Sequence, residues 1–142
     1  MKTRDQEYAS KVVKNVSAVK ETLNEDDRNR YGAMAHQLPI LIRSAGMAQA
    51  LAFLETRDTH GHKQLLIDLA ATVGLPGTLV QKARSAELNE YMQLTRQVMA
   101  ALLWYKRFTQ SILDIKASDV VKDANLAPAP EPQTNAKEAE KR

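Results

Sequence analysis

Apolar residues recur every three or four positions through most of the chain, which is the spacing of one face of an α-helix. Thr3 comes just before the first apolar stripe, and Gln6 lies three residues after Thr3, so the two predict a capping box at the start of a helix. Lys11 and Lys14 fall on the opposite side, where we expect a solvated face. The buried stripe of this first helix is predicted to contain Tyr8, Val12, Val16, Val19 and Leu23.

A second helix is predicted to begin near Asn24 and Asp27, two residue types that cap open backbone amides. Tyr31, Met34 and Leu38 follow at helical spacing. Pro39 removes an amide donor, so a break or kink is expected there. The segment PILIRSAG then reads as a short helix that stops at glycine, and residues 47–57 as a second short helix that is apolar on nearly every side.

The second half of the chain begins with a predicted break from Asp58 to Gly61, followed by the helical segment HKQLLIDLAATVG and a short helix around Leu79. A long helix is predicted from about Ser85 to about Lys116. Its expected apolar stripe is Leu88, Tyr91, Met92, Thr95, Val98, Met99, Leu102, Tyr105 and Ile112. The fold class is therefore all-α, a compact bundle of five to seven helices with one long C-terminal helix.

The composition changes abruptly after Ala117. The segment ANLAPAPEPQTNAKEAEKR has three prolines within five residues, is rich in alanine and glutamate, and lacks large aromatic residues. Such segments bury too little apolar surface to hold a fixed structure. We therefore expect a single helical bundle domain over residues 1–117 and a flexible tail over residues 118–142.

Composition narrows the function classes. Of the 142 residues, 44% are hydrophobic and 26% charged, no apolar run reaches the roughly 18 residues needed to cross a bilayer, and cysteine is absent. We expect a cytoplasmic protein without disulfides, thiolate chemistry or membrane contact. The net charge of +3 is uneven: residues 1–117 hold 16 Lys and Arg against 12 Asp and Glu, and the tail holds 4 against 5. A modestly basic domain fits contact with phosphates inside a larger assembly.

Candidates for catalysis are few. His60 and His62 flank a glycine and could share a metal, but a closed site needs about four ligands at suitable spacing. His36 fits ordinary packing better than catalysis. The acidic run from Glu25 to Asp27 is explained by the first turn of a helix, where negative charge is favourable. No glycine-rich phosphate loop occurs. We predict no catalytic residue, no metal and no cofactor.

One flank of the predicted long helix stands apart because it places a tryptophan among polar residues. Two interpretations are open: the flank contacts another subunit or an RNA strand, or a neighbouring helix simply covers Trp104. Lys106 borders the apolar side and could extend its stem along the core. The residues of the flank are Gln93, Arg96, Ala100, Trp104, Arg107 and Ser111.

Two ordered strings resemble a known family. YGAMAHQLPILIRSAGMAQALAFL, from Tyr31 to Leu54, and YMQLTRQVMAALLWYKRFTQSIL, from Tyr91 to Leu113, resemble the small subunit of the type III-B CRISPR, or Cmr, effector complex. With the intervening LLIDLA segment, the likeness extends from about the first helix to Lys116. The tail lies outside it.

The resemblance implies a non-enzymatic helical bundle, present in several copies, that packs along the backbone subunits and neighbouring copies and helps hold guide RNA and target RNA. In that family, target cleavage belongs to the backbone subunits and nucleotide cyclisation to the large subunit. A helical adaptor that binds only proteins is the alternative. Within this framework we expect RNA contacts from Arg43, Lys82, Arg84, Arg96, Lys106 and Arg107. We expect protein contacts from Met47, Trp104 and Phe108.

Overall fold

The computed structural model describes residues 1–118 as six helices with no strand among them. The all-α fold with a long C-terminal helix is confirmed. Residues 119–142 of the predicted tail lie outside the described residues. The helices are α1 (Arg4–Thr22), α2 (Glu25–Ala45), α3 (Met47–Thr56), α4 (His60–Thr72), α5 (Leu79–Ser85) and α6 (Leu88–Ile112).

Both predicted N-terminal caps are present. The Gln6 amide donates to Thr3 Oγ1 at 3.1 Å, while the Thr3 amide donates to Gln6 Oε1 at 2.8 Å, which completes the capping box of α1. Asn24 caps α2 by accepting from the Asp27 amide at 2.8 Å. These bonds satisfy backbone donors that a helix start otherwise leaves open. The side chains therefore fix where the first two helices begin.

The predicted separate helix after Pro39 is wrong, because α2 continues through that residue to Ala45. Proline costs the helix one hydrogen bond and crowds the preceding turn. Leu38, Leu41 and Ile42 around it are all buried, so tertiary packing offsets this local cost. The helix stops instead at Gly46, whose φ of 86° is readily adopted only by glycine.

The two other predicted boundaries shift. Gly61 lies inside α4 rather than in a break. A Cβ at this position would collide with the Asp27 backbone carbonyl of α2 and lie 3.0 Å from Arg30 Cβ, so the position requires glycine. Glycine thus permits the close approach of α4 to α2. The long helix begins at Leu88, after a separate α5, and ends at Ile112 rather than near Lys116.

Helix α2 occupies the centre of the bundle. It packs against α3, α4 and α6, and α1 lies along α6. Six consecutive residues of α2, from Tyr31 to His36, are buried, which requires neighbours on every side of the helix. None of the described helices has the length and apolar character of a membrane span.

A buried polar network connects the bundle. Tyr31 donates to Asp68 Oδ2 at 2.7 Å, and Gln64 donates to Asp68 Oδ1 at 2.8 Å. Thr72 lies 2.7 Å from the Tyr105 hydroxyl, which accepts from Asn15 Nδ2 at 3.0 Å. These bonds join α1, α2, α4 and α6. Since buried polar groups are costly when unpaired, the network favours one relative placement of these helices.

Candidate functional site

The solvent-facing side of α6 carries a row of apolar and basic residues that we call the α6 outer stripe. Its apolar members, Met92 and Leu103, are 45% and 50% exposed, although Met92 was expected in the buried stripe. Arg96 and Arg107 are also exposed. At 100° per residue all of these positions fall on one side of the helix. The α6 outer stripe consists of Met92, Arg96, Leu103, Arg107 and Gln110.

The charge of α6 is one-sided. From Tyr91 to Ile112 the helix contains Arg96, Lys106 and Arg107 and no Asp or Glu. Glu90, the acid just before this stretch, is paired with Lys82 at 2.9 Å. Within residues 1–118, neither Arg96 nor Arg107 forms an ion pair. The outer side of α6 is thus a positive surface without internal compensation.

Trp104 is half-buried, so the core covers part of its side chain and the rest is exposed. One side packs against the core, as expected if neighbouring residues cover it. The indole also stacks on Phe108, with ring centroids 5.8 Å apart and an interplanar angle of 19°. The Arg107 guanidinium lies 5.7 Å from the indole centroid, within the range of a cation–π contact. The three side chains form one basic and aromatic cluster.

A shallow pocket of about 550 Å³ opens beside this cluster at the C-terminal end of α6. We call it the Trp104 pocket. It combines two aromatic rings, two cationic side chains and two uncharged polar side chains, and none of the carboxylates within residues 1–118 lines it. Its lining residues are Trp104, Arg107, Phe108, Gln110, Ser111 and Lys116.

The remaining predicted RNA-contacting residues lie in different surroundings. Arg43 is exposed in the last turn of α2 and forms no ion pair within residues 1–118. Lys82 is paired with Glu90, and Arg84 lies 3.6 Å from the carboxylate of Glu55. Their charges are therefore partly compensated. Arg43, Arg96 and Arg107 are more available to a phosphate than Lys82 or Arg84.

The prediction that Met47 contacts another protein is wrong. Its side chain is fully buried, and its sulfur lies 3.7 Å from the Thr95 hydroxyl oxygen. Met47 begins α3 where that helix meets α6, so its thioether fills the core and offers no surface to a partner. Lys106 is half-buried, in agreement with its position beside the apolar side of α6.

His36 and His62 hold structural positions in the bundle. His36 is buried and its Nε2 lies 2.9 Å from the Ile115 carbonyl oxygen, which can only accept, so Nε2 carries the proton. His62 is buried beside Thr59, whose hydroxyl also caps α4, while His60 is exposed. No three His, Asp or Glu side chains converge as possible metal ligands within residues 1–118.

Asp68 is the feature that sequence reasoning missed. Burial raises the pKa of its carboxyl group, and the hydrogen bonds from Tyr31 and Gln64 act in the opposite direction. Burial likewise raises the pKa of Tyr31 and of Tyr105. A carboxyl group with a shifted pKa can mark a catalytic site. Here its two oxygens accept from side chains of the bundle, so the group serves the packing of α2 against α4.

Comparison with known proteins agrees with this geometry. Residues 4–112 match the family described as CRISPR-associated protein (Cas_Cmr5). The CRISPR system Cmr subunit Cmr5 of Thermus thermophilus is 42% identical over 116 residues, which span 80% of this chain and 99% of the relative. The crystal structure of a CRISPR-associated Cmr5 family protein from Thermus thermophilus is similar, with a TM-score of 0.74, 42% identity and the same two coverages. The residues matched by the family span the six described helices, from Arg4 to Ile112, and the chain belongs to the CRISPR-associated Cmr5 family.

Proposed function

We propose that this protein is a non-catalytic subunit of a Cmr ribonucleoprotein, packing in several copies along the backbone subunits and helping to hold guide RNA and target RNA. The observation that carries the proposal is the α6 outer stripe, an exposed basic and apolar surface on a helix that has no acid over 22 residues. The similarity to a Cmr subunit identifies the kind of assembly in which such a surface would be used.

The proposed mechanism is electrostatic. Arg96 and Arg107 are eleven residues apart, which places them about 16 Å apart along α6 and nearly in line. Two cations at that separation reach different phosphates of one strand, and each neutralised phosphate releases counterions. Contacts of this kind hold a nucleic acid strand without reading its bases. Arg43 and Lys106 add positive charge, and Lys82 and Arg84 contribute once their ion pairs open.

We also propose that this subunit has no catalytic activity. A side-chain catalyst needs a nucleophile or an acid–base pair that is accessible to a substrate. Asp68, Tyr31 and Tyr105, whose pKa values are raised by burial, form hydrogen bonds between helices inside the core. As the resemblance to the Cmr family implies, we assign cleavage and nucleotide chemistry to other subunits of the particle.

The proposal is tested by reversing two charges in the assembled complex. Arg96→Glu with Arg107→Glu should leave the helical CD spectrum unchanged and weaken retention of target RNA. If each arginine contacts one phosphate of a single strand, the slope of log affinity against log salt should fall by about 1.4.

The matched control is Lys11→Glu with Lys14→Glu, which makes the same change in net charge on the exposed side of α1. The control should retain target RNA like the wild type. Equal retention by both double variants across the salt range would remove the α6 outer stripe from the RNA contact.

The exposure of Met92 and Leu103 favours a second candidate function, a helical adaptor that contacts only proteins. Methionine and arginine are enriched in protein interfaces, and the α6 outer stripe contains both. Ultraviolet crosslinking of bound target RNA separates the two functions. Crosslinks to α6 support RNA contact, and crosslinks confined to other subunits support the adaptor.

A further inference from the structure

The Trp104 pocket is suited to a ligand with a definite chemistry. Two stacked aromatic rings favour a flat or ring-shaped apolar group, and Arg107 and Lys116 favour a negative charge beside it. Proline-rich segments bind aromatic-lined grooves because their restricted backbone loses little entropy on docking. A proline-containing segment that carries carboxylates and no lysine or arginine would match both the aromatic rings and the cationic side chains of the pocket.

Such a segment is present in this chain. Residues 123–136 contain Pro128, Pro130 and Pro132, the carboxylates of Asp123 and Glu131, and no basic residue. The rest of the region after residue 118 is less suitable, because Lys122 precedes the segment and Lys137, Lys141 and Arg142 follow it. Residues 123–136 thus combine all three prolines of this region with two carboxylates and no cation, and they lie beyond the residues matched by the family.

The position of the pocket makes this segment its most accessible occupant. Lys116 lines the pocket and lies two residues before the end of the described chain. Pro128 comes ten positions after Ser118, a span of at most about 33–36 Å when extended and about 16–19 Å on average for a flexible chain. A tether of that length gives an effective concentration in the millimolar range. Even a weak contact would then be substantially formed.

We propose that residues 123–136 dock into the Trp104 pocket of the same chain, with the prolines against Trp104 and Phe108 and the carboxylates beside Arg107 and Lys116. Docking covers Trp104, which we expect to contact a protein subunit, and Arg107, which we expect to contact RNA. The segment would then act as an internal competitor that a subunit or RNA strand must displace. The docking itself does not depend on that assignment and occurs in the isolated protein.

Trp104 is the only tryptophan of the chain, so its fluorescence reports directly on the pocket. The experiment measures acrylamide quenching of the full-length protein without RNA or partners. Asp123→Asn with Glu131→Gln should raise the quenching constant about 1.5- to 2-fold, since a millimolar effective concentration keeps a millimolar contact about half formed. Pro128→Ser with Pro130→Ser should raise it in the same direction without any change in charge.

The matched control is Glu138→Gln with Glu140→Gln, which removes two carboxylates outside the segment and should leave quenching at the wild-type value. Wild-type quenching in both segment variants would overturn the proposal, as would an equal rise in the control. Quenching that changes on dilution of the wild type would assign the occupant to a second copy and overturn same-chain docking. Each of these failures leaves the proposed role in the Cmr particle intact, because no RNA or other subunit is present.

Discussion

Replacing Tyr105 with phenylalanine tests whether the buried polar network stabilises the arrangement of the helices. Thr72 donates its hydroxyl proton to the Asp68 carbonyl at 2.8 Å, so the 2.7 Å contact between Thr72 and Tyr105 requires the tyrosine as donor. The Tyr105 hydroxyl also accepts from Asn15. The variant therefore removes one donor and one acceptor and keeps the edge-on ring contact with Tyr31.

The expected loss of stability in Tyr105→Phe depends on whether Thr72 and Asn15 keep or find other hydrogen bonds. Thr72 keeps its bond to the Asp68 carbonyl, and Asn15 is only half-buried, so its amide can turn to water. Each lost bond then costs about 0.5–1.5 kcal/mol, which gives about 1–3 kcal/mol in total. For a domain of this size the melting temperature should fall by roughly 4–12 °C.

The assay is urea and thermal unfolding followed by far-UV CD. Tyr8→Phe is the matched control, because Tyr8 is buried while its hydroxyl has no hydrogen bond within residues 1–118. Its free energy of unfolding should stay within about 0.5 kcal/mol of the wild type. If Tyr105→Phe is as stable as Tyr8→Phe, the hydroxyl network contributes no net stability and the reasoning fails.

Two further predictions concern the contact between α2 and α4. Burial raises the pKa of Asp68 above its ordinary value, so the folded protein holds a proton that the unfolded chain has released. The stability that this raised pKa contributes is fully present below about pH 4 and is lost as the pH rises through the pKa of Asp68 in the folded protein. The free energy of unfolding of Asp68→Asn relative to wild type should therefore increase with pH in urea titrations from about pH 4 to 7. A flat difference would show that Asp68 keeps its ordinary pKa. Gly61→Ala should destabilise the protein by about 2 kcal/mol or more in the same unfolding assay, because its Cβ would collide with the Asp27 backbone, which cannot rotate away. Wild-type stability of this variant would contradict the close approach of α4 to α2.

Local sequence determined most of the helices. Periodic apolar residues located the buried side of α1, and Thr3 and Asn24 fixed the starts of α1 and α2, because a cap acts within a few residues of itself. Gly46 likewise marked a helix end. The two strings that resemble the family, Tyr31 to Leu54 and Tyr91 to Leu113, can be recognised without a structure, so membership of the Cmr5 family could also be inferred from the sequence.

Other features of the fold depend on contacts between residues that are distant in sequence, and only the tertiary structure determined them. Local chemistry predicts a break at Pro39, but the packing of α2 on three other helices maintains the helix. Periodicity assigned Met92 to the core, and Met47 was expected to contact another protein. The structure reverses both because burial depends on which helix covers each side. Asp68 became significant only when folding brought Tyr31 and Gln64 to its two oxygens. The Trp104 pocket also requires Lys116, which comes next to α6 only after Asp114 turns the chain with a φ of 57°.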